Sequence, residues 1–144
     1  MAGIDEKQII KKILTETKTI AVVGISSGQK RPSNYVAQYL MEKGYNIIPV
    51  NPNLHAWEGK KCYPTLQSIP NSIRIDVVLV FRRSEYCAEI ANDAVETNAK
   101  ALWLQEGITS KEAEKIAIRH NLLFVMNRCM KKEHEKWKSG SDSQ

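Results

Sequence analysis

Gly24, Ile25, Ser26, Ser27, Lys30 and Arg31 stand in one loop between an apolar run and a proline-led segment, an arrangement of residue types that suits an anion. Ile20, Ala21, Val22 and Val23 form the short continuous apolar run that a parallel strand needs when both its faces are covered. Gly24 then lets the backbone turn. Pro32 fits the first turn of a helix, and the Ser33 hydroxyl is expected to cap its unpaired amides. Those amides and the helix dipole attract negative charge, so the loop reads as a phosphate site. The usual dinucleotide fingerprint has a second glycine two residues on; Ser26 stands there, with Gly28 following.

A second set of groups is expected at the same edge of the molecule. Arg82 and Arg83 directly follow the apolar run that ends at Phe81, where a planar guanidinium can meet phosphate oxygens in bidentate fashion. Asn51 and Pro52 end another run. An NAD site usually places an acid at that point to bind the ribose hydroxyls. An amide there still bonds a ribose or an adenine edge, without the charge that would repel a phosphorylated ribose. Coenzyme A, whose ADP portion carries a 3′-phosphate, fits this pattern better than NAD, and NADP stays open on charge alone. Gln105, Glu106 and Gly107 end a further run, and Asn127, Arg128 and Cys129 the last. Exposed Lys and Arg are the default state of such residues, so the basic side chains carry weight only through their convergence.

Catalytic groups are harder to assign. No Ser-His-Asp or Cys-His set follows from the sequence. Cys129, beside Arg128, is a candidate reactive thiol, because a neighbouring guanidinium favours thiolate; the competing reading is a packed cysteine. Cys62, Cys87 and Cys129 share no close pair, and His55, His120 and His134 are dispersed, so neither a disulfide framework nor a metal site is expected. Trp103 reads as core, and Trp57, between His55 and Glu58, as an exposed aromatic.

The elements that must position these groups alternate along the chain. A helix begins at Asp5, with Gln8 at capping-box distance and Ile9, Ile10, Ile13 and Leu14 as its apolar stripe. After the first strand, a helix from Ser33 to Lys43 stops at Gly44. Strands are expected at Tyr45 to Val50, weakly at Lys61 to Tyr63, and at Ile75 to Phe81, Ala101 to Leu104 and Leu122 to Met126. Ser84 is read as the cap of a helix carrying Cys87, Ile90, Ala91, Ala94 and Val95. Thr109, with Glu112 three residues on, is read as the opening of another. This alternation from Asp5 to His134 predicts an α/β, Rossmann-like, doubly wound sheet, mostly parallel, with helices on both faces and right-handed crossovers. Ligands of such sheets lie beyond the carboxyl ends of the strands, near the reversal of strand order.

With 144 residues the chain makes one domain, expected over residues 1–138, with a polar tail over 139–144. The net charge of +5, from 21 basic and 16 acidic residues, suits an anionic ligand but is equally common among solvated surfaces. MAGIDEKQIIKK has no apolar core of signal-peptide length, and no run approaches the ~20 apolar residues that span a bilayer, so a soluble cytoplasmic protein is expected, with no membrane and no nucleic acid as partner.

The ordered blocks IAVVGIS, RPS, GYNIIPVNP, GKKCYPTL, FRRSE, AKALWLQEGI and MNRCMKKEH closely resemble the small stand-alone CoA-binding proteins of the YccU-like type, over about Thr19 to His134. The resemblance implies a Rossmann-type fold like the nucleotide-binding domain of the succinyl-CoA ligase α subunit. It implies that Gly24, Ser26 and Ser27 meet the diphosphate, Asn51 the adenosine side, and Phe81, Arg82 and Arg83 the phosphates and adenine, with Gln105, Glu106 and Gly107 bordering the pantetheine path. Family members often carry Asp before the Arg-Cys of the last block, where this chain has Asn127. No histidine sits in a glycine-rich segment suited to phosphorylation, so complete ligase activity is not expected. The favoured reading is a non-catalytic CoA or acyl-CoA carrier, sensor or regulatory module, working alone, as a homo-oligomer or with a protein partner. The alternatives are a small enzyme or enzyme subunit acting on CoA thioesters, and an NAD(P)-binding regulator.

Overall fold

Side chains that alternate between the two faces of the buried strands divide the core into two layers. In the computed structural model, which describes residues 5–140, Ile20 and Val22 point into one layer and Ala21 and Val23 into the other, as strand pleating requires. The five central strands are β1 (Thr19–Val23), β2 (Asn46–Val50), β5 (Val77–Val80), β6 (Ala101–Leu104) and β7 (Leu123–Val125). All pair in parallel in the order β2-β1-β5-β6-β7, so strand order reverses between β1 and β5. Gly24 and Phe81 leave these two strands at the reversal, the place where folds of this kind hold ligands.

Helices α1 (Glu6–Glu16), α2 (Pro32–Glu42) and α5 (Met130–Lys138) bury their apolar residues in one layer; α3 (Cys87–Glu96) and α4 (Lys111–Arg119) bury theirs in the other. The capping box of Asp5 and Gln8 is present, with Asp5 accepting from the Gln8 amide at 2.9 Å, and Ile10, Ile13 and Leu14 are buried as expected. Gly44, at φ +101°, ends α2 in the left-handed region. The expected Rossmann-like sheet with helices on both faces is the observed fold.

Several local expectations differ. Ser33 does not cap α2: Pro32 takes the first helical position, Arg31 stands at the cap without a side-chain bond, and Ser33 is buried inside the first turn. Ser84 lies in a 3-10 turn (Ser84–Tyr86) that leads into α3. Ser110 caps α4 in place of Thr109, because its extended backbone brings Oγ within 3.0 Å of the Ala113 amide. A hairpin of β3 (Ala56–Trp57) and β4 (Lys60–Lys61) turns through Glu58 and Gly59, both at positive φ; the weak strand expected at Lys61 to Tyr63 survives as β4 and a single bridge from Tyr63 to Val50. α5 was not anticipated as a helix: in MKKEHEKWK only Met130 and His134 are buried, too few to show a periodic stripe. Of the expected tail, Ser139 ends α5 as its C-terminal cap and Gly140 follows, while residues 141–144 lie outside the described residues. Among the described residues, no helix is long and apolar enough to cross a membrane, and no group of three His, Cys, Asp or Glu side chains is placed to hold a metal ion.

Candidate functional site

The loop after β1 is held by donors that take its carbonyls. The Asn51 side-chain amide donates to the Ile25 carbonyl at 2.7 Å, and Ser26 O accepts from the Asn34 amide at 2.8 Å and the Trp57 indole at 3.1 Å. With these carbonyls engaged by side chains from α2, the β2 end and the hairpin, the backbone amides of Ile25, Ser26 and Ser27 have no hydrogen-bond partner among the described residues. A row of free amides in a loop that leads into a helix is a backbone arrangement that can accept an anion. Ser26 Oγ accepts from Gly28 N at 3.0 Å, which shapes the exposed tip carrying Ser27, Lys30 and Arg31.

Gly24 sits at the entrance of this loop with φ +88°, its amide bonded to Val50 O at 2.9 Å. A Cβ there would lie 3.2 Å from Arg82 Cδ and 3.4 Å from the Phe81 carbonyl carbon. Arg82 therefore lies directly across the first turn. Its guanidinium stacks on the Tyr86 ring at 4.4 Å, and that of Arg83 stands 5.6 Å from the same ring and 3.9 Å from Glu85. Stacking holds the Arg82 fork while leaving its edge donors for an anion. Cys87, buried beneath, is pushed up by desolvation, against the opposing charge of Arg82.

Asn51 serves the loops on both sides of it, since its Oδ1 also accepts from Asn53 N at 2.7 Å, with Pro52 exposed between them. An acid at this position has no proton to donate to Ile25 O, which gives a local reason for the amide. On the other side of the reversal, Gln105 is buried and its Oε1 lies 3.4 Å from the Met130 amide at the start of α5. Glu106 pairs with Lys132 at 3.1 Å. Gly107, at φ +88°, donates to Asn127 Oδ1 at 2.7 Å. Asn127 itself is left-handed at φ +60°, a conformation Asn adopts more readily than most residues.

The structure thus brings the expected loop, Asn51, Phe81, Arg82 and Arg83 to one edge, with Gln105 to Gly107 at the end of β6, the strand next to β5. Cys129, the N-cap of α5, packs in the core at 7% exposure, and the Arg128 guanidinium is turned onto Glu6 at 2.6 Å and Glu133 at 3.6 Å. Trp103 is core, as expected, and its indole donates to Arg128 O at 2.8 Å. Trp57 is not an exposed aromatic: it is 2% exposed, because the hairpin folds its ring inward to reach Ser26 O. Asn34, Trp57 and Tyr86, which hold the loop and Arg82 in place, are not expected from the sequence. Only Tyr86 left a signal, an aromatic one turn beyond a pair of arginines.

Residues 18–135 match the family described as CoA binding domain. The chain is 38% identical over 128 residues to the protein YneT of Bacillus subtilis (strain 168), covering 89% of this chain and 93% of that one. It superposes on a solved structure of a protein from Pyrococcus horikoshii OT3 with a TM-score of 0.86 and 38% identity, over 94% of this chain and 98% of that one. It is 27% identical over 100 residues to acetate–CoA ligase [ADP-forming] II of Archaeoglobus fulgidus, a match that spans 68% of this chain but 15% of the ligase. The chain belongs to the CoA binding domain family.

Proposed function

We propose that this member of the CoA binding domain family binds coenzyme A or an acyl-CoA at the edge between β1 and β5, as a non-catalytic carrier, sensor or regulatory module. The observation that carries the reading is the loop from Gly24 to Ser27. The carbonyls of Ile25 and Ser26 are taken by Asn34, Asn51 and Trp57, the amides of Ile25, Ser26 and Ser27 have no protein acceptor among the described residues, and Arg82 lies across the turn. In this reading the diphosphate rests on the amides of Ser26 and Ser27 beside Arg82, with Ile25 buried beneath them, and the adenosine side lies toward Asn51 and Pro52. Phe81 and Arg83 flank the adenine and phosphates, and Lys30 and Arg31 supply further charge from the loop tip. The pantetheine arm runs along the edge past Gln105, Glu106 and Gly107.

A charge-assisted hydrogen bond contributes about 1.5–3 kcal/mol, so Arg82→Ala is expected to weaken CoA roughly tenfold or more. Calorimetric titration with CoA, 3′-dephospho-CoA and NAD tests the assignment. The expected order is CoA first and NAD last. Binding of NAD as tight as that of CoA would overturn it, and an equal loss for CoA and 3′-dephospho-CoA in Arg83→Ala would show that Arg83 does not read the extra phosphate.

A further inference from the structure

Away from the phosphate loop, α1 and α5 lie side by side and leave a groove of about 570 Å³, inside the roughly 300–1,000 Å³ range of small-molecule sites. Its floor is Ile10 and Leu14 of α1 and the half-buried Trp137 ring of α5. Lys7 and Lys11, one helical turn apart, rise along the α1 wall. One end is occupied by Arg128, whose charge is already met by Glu6 at 2.6 Å and Glu133 at 3.6 Å; Glu133 also pairs with Lys136 at 3.4 Å. Lys7 and Lys11, in contrast, have no carboxylate partner among the described residues. The groove therefore combines an apolar floor with two uncompensated cations on one wall.

We propose that this groove binds an aliphatic monocarboxylate of medium chain length, its tail on Ile10, Leu14 and Trp137 and its carboxylate between Lys7 and Lys11. The apolar floor accepts any tail; the two lysines select the anionic head. The site goes beyond the CoA reading and does not rest on it, since it uses no residue of the β1 or β5 loops.

Sodium decanoate titrated into the full chain is the test, read by the methyl resonances of Ile10 and Leu14 and by Trp137 fluorescence. Trp57 and Trp103 are buried elsewhere in the core, and a Trp137→Phe variant gives their background signal. Saturable methyl shifts are expected in the native protein, with affinity reduced about tenfold or more in the double variant Lys7→Glu/Lys11→Glu. Decyltrimethylammonium, with the same tail and the opposite charge, is expected to leave the methyls unmoved. Both lysines are exposed, so the double variant should fold; if it does not, Lys7→Gln/Lys11→Gln takes its place with the same expected direction. Absence of saturable shifts, equal affinity in the lysine variant, or shifts with decanoyl-CoA but not with decanoate each overturns the proposal, the last by assigning the groove to a thioester tail. CoA titration of the native protein and the same variant separates the two sites: equal CoA affinity is expected, absence of CoA binding in both would bear on the phosphate loop alone, and CoA affinity lost only in the variant would overturn the independence of the groove.

Discussion

Replacing Gly24 with alanine should damage stability and ligand binding together, and the geometry sets the size of both effects. At φ +88° a residue with a Cβ is in a region that costs about 1–2 kcal/mol, and the value here lies beyond the favoured left-handed well. The added carbon would meet Arg82 Cδ at 3.2 Å, so Arg82 must move by a few tenths of an ångström while its guanidinium is held on Tyr86 at 4.4 Å. Taking about 2 kcal/mol in all, and a urea dependence of roughly 2 kcal/mol per molar for a chain of this size, the unfolding midpoint should fall by about 1 M. Displacing Arg82 from the turn should also weaken CoA roughly tenfold, the cost of one charge-assisted hydrogen bond. Gly24→Val, being β-branched, should lose more of both. Urea unfolding followed by circular dichroism and calorimetric titration of the folded variant measure the two quantities separately. A midpoint within about 0.2 M of the native protein would refute the account of the turn. A lowered midpoint with unchanged CoA affinity would show that the ligand does not lie over this loop.

Trp57→Phe keeps an apolar ring at a 2% exposed position but removes the indole bond to Ser26 O; it should cost about 1 kcal/mol in urea unfolding and loosen CoA binding, and unaltered CoA affinity would mean the hairpin does not shape the loop. His134, 2% exposed and 2.7 Å from Tyr39 Oη, has its pKa lowered by burial and then by Lys138 and Lys43, against the opposing charge of Glu135. Its folded value lies below the unfolded one, so its contribution to stability is fully present above about pH 6.5 and is lost as pH falls toward the depressed folded value. Urea midpoints measured between pH 7 and pH 5 should therefore drop more steeply in the native protein than in His134→Leu, and parallel slopes would refute this. Cys62, Cys87 and Cys129 are all buried, and desolvation raises the first two. Iodoacetamide should label none of the three rapidly until urea is added, whereas prompt labelling lost only in Cys129→Ser would restore the reactive-thiol reading.

The sheet was legible because its residues satisfy a local rule. Val77–Val80 and Ala101–Leu104 are covered on both faces, so every position is apolar and the runs stand out from their surroundings; the limits of β6 coincide with those read from the sequence. Helix α1 was legible for the same reason, since its cap and its stripe lie within a few residues of each other. Helix α5 was not, because its fold is decided by two residues: Met130, buried against the core, and His134, enclosed edge-on by Tyr39, Tyr45 and Trp137 at 5.4–5.7 Å. Partners from α2, from the residue that precedes β2 and from α5 itself give a charged segment its inner face. The misplaced caps have a smaller cause. Thr109 and Ser110 are both competent acceptors, and only the extended backbone of Ser110 aims its oxygen at the helix.

The candidate phosphate loop divides along the same line. Gly24 and the strand before it mark the loop from sequence, and Arg82 and Arg83 mark its far wall, because each follows a strand end that periodicity reveals. What prepares the loop for an anion is different in kind. Its two inward carbonyls are held by Asn34, Asn51 and Trp57, which lie 8, 26 and 31 residues from their acceptors. None of these side chains announces a carbonyl partner, and Trp57 looks exposed by its polar neighbours until the Glu58–Gly59 turn folds it back. The composition of the loop gives its location, and the hairpin, α2 and the end of β2 supply the donors that hold its carbonyls in the proposed reading. A variant that keeps every loop residue but loses the indole donor should therefore retain the turn and lose part of the affinity, which is the separation that Trp57→Phe measures.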